Sequence, residues 1–142
     1  MTGSRVSFGS KRGSAAVEVG LLIPWLVFTF VSILDFGFST YSLIATQNAA
    51  RVVAMYGAAS STNLANIANV KCGYAADELK YAPTPVTGCG AALTVTTSSN
   101  TNFTAFTEVS VTVTYTVNLM AIPGMMPGTL AISKTVTLPV RS

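Results

Sequence analysis

The 142-residue sequence contains no histidine, so a histidine general base, a Ser-His-Asp triad and a histidine metal ligand are all excluded. Charge is scarce as well: Asp, Glu, Lys and Arg make up 9% of the chain, against roughly 25% in an ordinary soluble domain. The five acids are scattered. Asp77 and Glu78 are the only adjacent pair, and neighbours on a helix point about 100° apart, which suits a solvated face better than a catalytic dyad. No phosphate-cradling loop and no cluster of metal-ligand types occurs. The sequence therefore argues against an enzyme and implies neither metal nor cofactor. There are two cysteines, Cys72 and Cys89, and they do not form a CxxC pair. They point to a single disulfide in an oxidising compartment, with two buried free thiols as the alternative.

What the chain does have is a long apolar run. No charge occurs from Val19 to Leu34, and from Ala15 to Phe38 only Glu18 and Asp35 break the pattern. A helix over 15–34 would rise about 30 Å, the thickness of a bilayer core. Arg5, Lys11 and Arg12 precede the run with no acid among them. Without residues 1–13, the basic Arg51, Lys71, Lys80, Lys134 and Arg141 balance the five acids, so the net charge of +3 belongs to the leader. This is not the basic face that nucleic-acid binding requires. Beside a membrane segment, Lys and Arg stay cytoplasmic, so the following hundred or so residues are expected on the periplasmic side. The apolar run is longer than a signal-peptide core and is followed by Asp-Phe-Gly-Phe rather than an A-x-A site, so it reads as an anchor.

The helical pattern continues past the membrane edge. Tyr41, Ile44, Ala45, Val52, Met55 and Tyr56 fall on one face of a 3.6-residue period, with Gln47, Asn48 and Arg51 off it, predicting a single rod from about Ser14 to Tyr56, apolar all round at first and amphipathic afterwards. Pro24 should kink the rod, Gly37 is a second weak point, and Gly57 is the expected C-cap. Asn63 is the expected cap of a short second helix, followed by a separate turn near 76–81 and a loop around Cys89. The period then changes to two: Val109, Val111, Val113, Tyr115 and Val117 alternate with Ser and Thr, predicting a half-buried antiparallel strand. Residues 92–97 and 129–140 read as its neighbours, and 122–128 as a turn exposing or tucking Met125 and Met126. The expected class is α+β. Its parts are a basic leader at 1–13, a long N-terminal helix over 14–57 with its transmembrane part at about 15–38, and a small domain over 58–142 with a short helix and an antiparallel sheet.

One acid sits badly in this scheme. Glu18 opens the apolar run, and a carboxylate at the centre of a membrane helix costs roughly 3 kcal/mol by insertion scales. Gly13, four residues, then Glu18 heading an apolar helix resembles the processing site of type IV pilins and pseudopilins. More closely, "RGSAAVEVGLLIPWLVF", the "DFG" at 35–37 and "QNAAR" at 47–51 resemble the TadE-like family of tight-adherence (Tad, Flp-type) pilus proteins. The resemblance is close over about 12–57, looser over 108–140, and does not cover the cysteines. It implies a type IVb minor pilin or pseudopilin that helps assemble a Tad pilus in surface adherence. It also implies cleavage by a prepilin peptidase between Gly13 and Ser14, and a role for Glu18 in processing and assembly through the new Ser14 amine. Asp35 is a candidate interface acid. The implied partners are the membrane, the prepilin peptidase, other pilin subunits and the Tad assembly machinery, with no nucleic acid. The implied location is a single pass through a bacterial inner membrane, N-terminus cytoplasmic, and from there an extracellular pilus. The alternative from the residues alone is an uncleaved, membrane-anchored periplasmic binding or scaffold module.

Overall fold

The computed structural model describes residues 11–101, 107–119 and 128–141. The leader before Lys11 and most of the expected 122–128 turn, with Met125 and Met126, lie outside them. The described chain forms α1 (Lys11–Ala58), α2 (Ser61–Leu79), β1 (Leu93–Thr101), β2 (Thr107–Asn118) and β3 (Thr129–Pro139). It is an α+β protein: a long N-terminal apolar helix, a second, shorter helix and a three-stranded antiparallel sheet in the order β1-β2-β3. It divides between Leu34 and Asp35 into two compact units.

The sheet follows the period-two pattern. On β2 the odd positions from Val109 to Val117 are fully buried, while the even ones are partly open. The register places buried Val113 against Val95 on one side and Lys134 on the other. The opposite face is paved with hydroxyls. Ser110 and Thr137 lie 2.6 Å apart across the strands, Thr112 and Thr135 2.7 Å, and Thr114 donates to Ser133 at 3.1 Å. Such cross-strand pairs stabilise a wet face with few charges. Lys134 stands on the core-facing side of the edge strand β3, a placement that discourages edge-to-edge pairing.

The face that α1 gives to the core differs from the expected stripe. Its buried positions are Ser42, Ala45, Thr46, Ala49, Ala50, Val53 and Ala54, nearly all small, whereas Tyr41, Ile44 and Met55 stay exposed. Small side chains let a helix backbone come close to its neighbours, which larger ones prevent. Gly57 shows how close: a Cβ there would meet Ile67 Cδ1 at 2.6 Å and Val109 Cγ2 at 3.3 Å. Gly57 therefore serves a close approach inside the helix and is not its C-cap. The helix also runs unbroken through Pro24 and Gly37.

Helix α2 is one continuous element of 19 residues, not a short helix and a separate turn. Its cap is Ser60 rather than Asn63: the Ser60 Oγ accepts from the Asn63 backbone nitrogen at 3.1 Å. Ile67, Ala75, Ala76 and Leu79 form its buried face. The segment from Lys80 to Ala92 is held at two points, Thr84 and Cys89. Cys72 of α2 is bonded to Cys89, with Cα atoms 5.3 Å apart. Buried Tyr115 of β2 donates its hydroxyl to the Thr84 carbonyl at 2.7 Å and accepts from the Thr84 nitrogen at 3.0 Å.

Candidate functional site

From Ala16 through Phe30 every residue of α1 is exposed, and the residues are overwhelmingly apolar. Leu21, Trp25 and Leu26 are 71%, 72% and 67% exposed. In water this arrangement would be strongly unfavourable, whereas in hydrocarbon it is what the solvent requires. Among the described residues, α1 is the one helix long and apolar enough to cross a membrane. Its few hydroxyls are satisfied within the helix. Thr29 donates to the Trp25 carbonyl and Ser32 to the Phe28 carbonyl, each at 2.9 Å. This back-bonding lets a polar side chain sit in an apolar medium without an outside partner. Pro24 has no N–H, so the Gly20 carbonyl one turn earlier loses its usual helical donor.

Gly13, Ser14 and Glu18 all belong to the first turns of α1. The spacing of four puts residues 14 and 18 on the same helix face. Glu18 is exposed, so its carboxylate faces outward from the chain. Asp35 lies farther along the helix and is 7% exposed. It is the first residue of the second compact unit and is buried there rather than hydrated. Continuing its face, Ser42 and Thr46 are fully buried and donate to the Phe38 and Ser42 carbonyls at 2.7 Å. Among the described residues no buried side-chain nitrogen or oxygen lacks a partner. The recurrence of small and hydroxyl residues at 42, 45, 46, 49, 50 and 53 was the sequence signal for this inner face, and an emphasis on large apolar residues misses it.

In the second unit, Asp77 and Lys80 pair at 2.7 Å on the surface of α2. The hydrogen bond to Asp77 and its charge hold the Lys80 ammonium above its usual pKa. Glu78 is exposed beside them and joins no dyad. Among the described residues no group of three metal-binding side chains comes together. What α1 offers is an outward-facing apolar surface with one carboxylate near its start.

No curated protein and no solved structure matches the chain. Residues 13–55 match the model of the family described as TadE-like protein. The match begins at Gly13, includes Glu18 and Asp35, and ends near the close of α1, before α2 and the sheet. The similarity to TadE-like proteins is thus confined to α1, from Gly13 to Met55.

Proposed function

We propose that the chain is a minor pilin or pseudopilin, a structural subunit that helps assemble a Tad-type pilus used in surface attachment. One observation carries the reading: Gly13 and Glu18 head an exposed, membrane-length apolar helix within the TadE-like match. In this reading residues 1–13 are a cytoplasmic leader removed by a prepilin peptidase. The mature protein begins at Ser14, residues 15–38 cross the inner membrane, and residues 58–142 form the periplasmic domain. The peptidase, other pilin subunits and the assembly machinery are its partners.

The physical argument concerns the carboxylate. Cleavage after Gly13 exposes the α-amine of Ser14, which is cationic at neutral pH. A carboxylate and an ammonium brought together in low dielectric offset much of each other's burial cost, while either alone is uncompensated. Glu18 then pairs with the Ser14 amine of its own or a neighbouring subunit and fixes the axial register between subunits. Asp35, at the far end of the crossing, is buried within the second compact unit.

Intact-mass analysis and N-terminal sequencing of the protein from its native host test the reading. The expected N-terminus is Ser14. Persistence of residues 1–13 in a host with an active prepilin peptidase would favour the uncleaved, anchored module instead.

A further inference from the structure

The second half of α1 is apolar on two sides, and the fold uses only one. Opposite the buried Ser42–Ala45–Ala49–Val53 face stand Tyr41, Ile44 and Met55, which are 47%, 58% and 47% exposed. Asn48 and Arg51 share that outer face and are exposed too. Apolar residues left exposed opposite the core-facing side of a helix are available to a second partner. Arg51 enters no ion pair or side-chain hydrogen bond among the described residues.

The same compact unit carries a complement on α2. Gly73 has open space where a Cβ would stand. With Asn69, Val70, Tyr74 and Asp77 it lines a shallow notch. Glu78 adjoins the notch and, unlike Asp77, is in no ion pair among the described residues. The α1 face thus offers apolar knobs and an unpaired cation, and the α2 face a notch and an unpaired anion. Two α1 faces laid in register would instead set Arg51 against Arg51.

We propose that the Tyr41–Ile44–Arg51–Met55 face of α1 in one copy docks on the Gly73–Tyr74–Glu78 face of α2 in a second copy. The contact is heterologous, because different patches meet. Each added copy therefore presents one unused face of each kind, and the contact propagates as an open chain rather than closing as a dimer. The proposal rests on the reading of the chain as an assembling subunit, but not on cleavage after Gly13.

Cysteine crosslinking in native membranes tests it. Both natural cysteines are held in a disulfide, so an introduced cysteine supplies the one free thiol. Two differently tagged full-length copies are co-expressed, one with Met55→Cys and the other with Asn69→Cys, and treated with a short bis-maleimide. The mixed pair should crosslink well above Met55→Cys or Asn69→Cys with itself. Adding Arg51→Glu to the first copy should lower the yield about fivefold, the scale of one exposed charge pair. Glu78→Arg in the second copy should restore it. Predominant Met55-to-Met55 crosslinks, an absent mixed product or a yield indifferent to the charges would each overturn the proposal. Incorporation into sheared pili is scored in the same cells. Persistent incorporation without the crosslink removes this contact alone, and absence of the otherwise unchanged chain from sheared pili at normal membrane abundance counts against the pilin reading itself.

Discussion

At the scale of single residues, polar groups are placed where they can be satisfied locally. Ser42 and Thr46 are buried, yet each spends its hydroxyl on the carbonyl one turn back, so neither demands a partner from the sheet. Tyr115 works differently. Its ring is fully buried and its hydroxyl both donates to and accepts from the Thr84 backbone, tying the irregular segment after α2 to the central strand. Tyr115→Phe keeps the ring and leaves the Thr84 amide and carbonyl without that partner. The expected loss is about 1–3 kcal/mol of stability, read as a lower urea midpoint at unchanged slope. Near-wild-type stability would show that water takes over both bonds. Lys80 is a contrast. Its pKa is raised, so its pairing with Asp77 contributes below the unfolded value of 10.5 and is lost only as pH rises through the higher folded value. Titration of Lys80 therefore contributes nothing to stability changes between pH 5 and 9.

At the scale of elements, legibility depends on how strongly the periodic signal exceeds its competitors. The alternation of β2 is strict over nine residues, and the strand buries the face the alternation names. The length of α1 is equally plain, because sixteen uncharged residues from Val19 to Leu34 have few other uses. Its inner face is not legible from bulk. A helix bearing apolar residues on two sides leaves the choice to its neighbours, and close packing at Gly57, Ile67 and Val109 selects the small side. For α2, Asn63 and Ser60 are both good caps, and only the extended backbone of Ser60 decides between them. The candidate site rests on a spacing, Gly13 to Glu18, rather than on a fold, and the structure adds that both residues lie in the first turns of α1. The cysteines occupy the middle ground, since spacing allowed the bridge and the fold brings the two Cα atoms within reach. The bridge spans 17 residues, so replacing both cysteines by serine should cost roughly 3 kcal/mol on the chain-entropy account. Thermal melts of the oxidised, reduced and doubly substituted protein check this. Identical midpoints for all three would mean that Tyr115 and its neighbours hold the segment unaided.

At the scale of the whole molecule, the chain falls into two compact units, and Glu18 lets the proposed role of the first be tested apart from the core of the second. Glu18 lies in the first unit, whereas every residue of the hydrophobic core, from Ala45 to Ile132, lies in the second. Glu18→Gln therefore removes a charge without touching a core contact. A neutral amide is also cheaper in lipid than a carboxylate, so insertion should be unimpaired. Membrane abundance and disulfide content should match the wild type. The change belongs in assembly. Without the carboxylate, the proposed Ser14 amine has no partner at the helix–helix contact, and breaking a dry ion pair by removing one member costs roughly 3–5 kcal/mol. Half of that penalty lowers subunit affinity by about tenfold or more. The variant should accumulate in the membrane and be depleted from sheared pili, with surface attachment reduced in step. Glu18→Asp is the informative companion. It keeps the charge but withdraws it by one methylene, so it should retain part of the incorporation that Gln loses. If Gln incorporates as well as Glu at equal membrane abundance, the carboxylate has no part in assembly. It is then an acid near the start of an anchor that reaches water by itself, and registration between subunits falls to the apolar surface of α1.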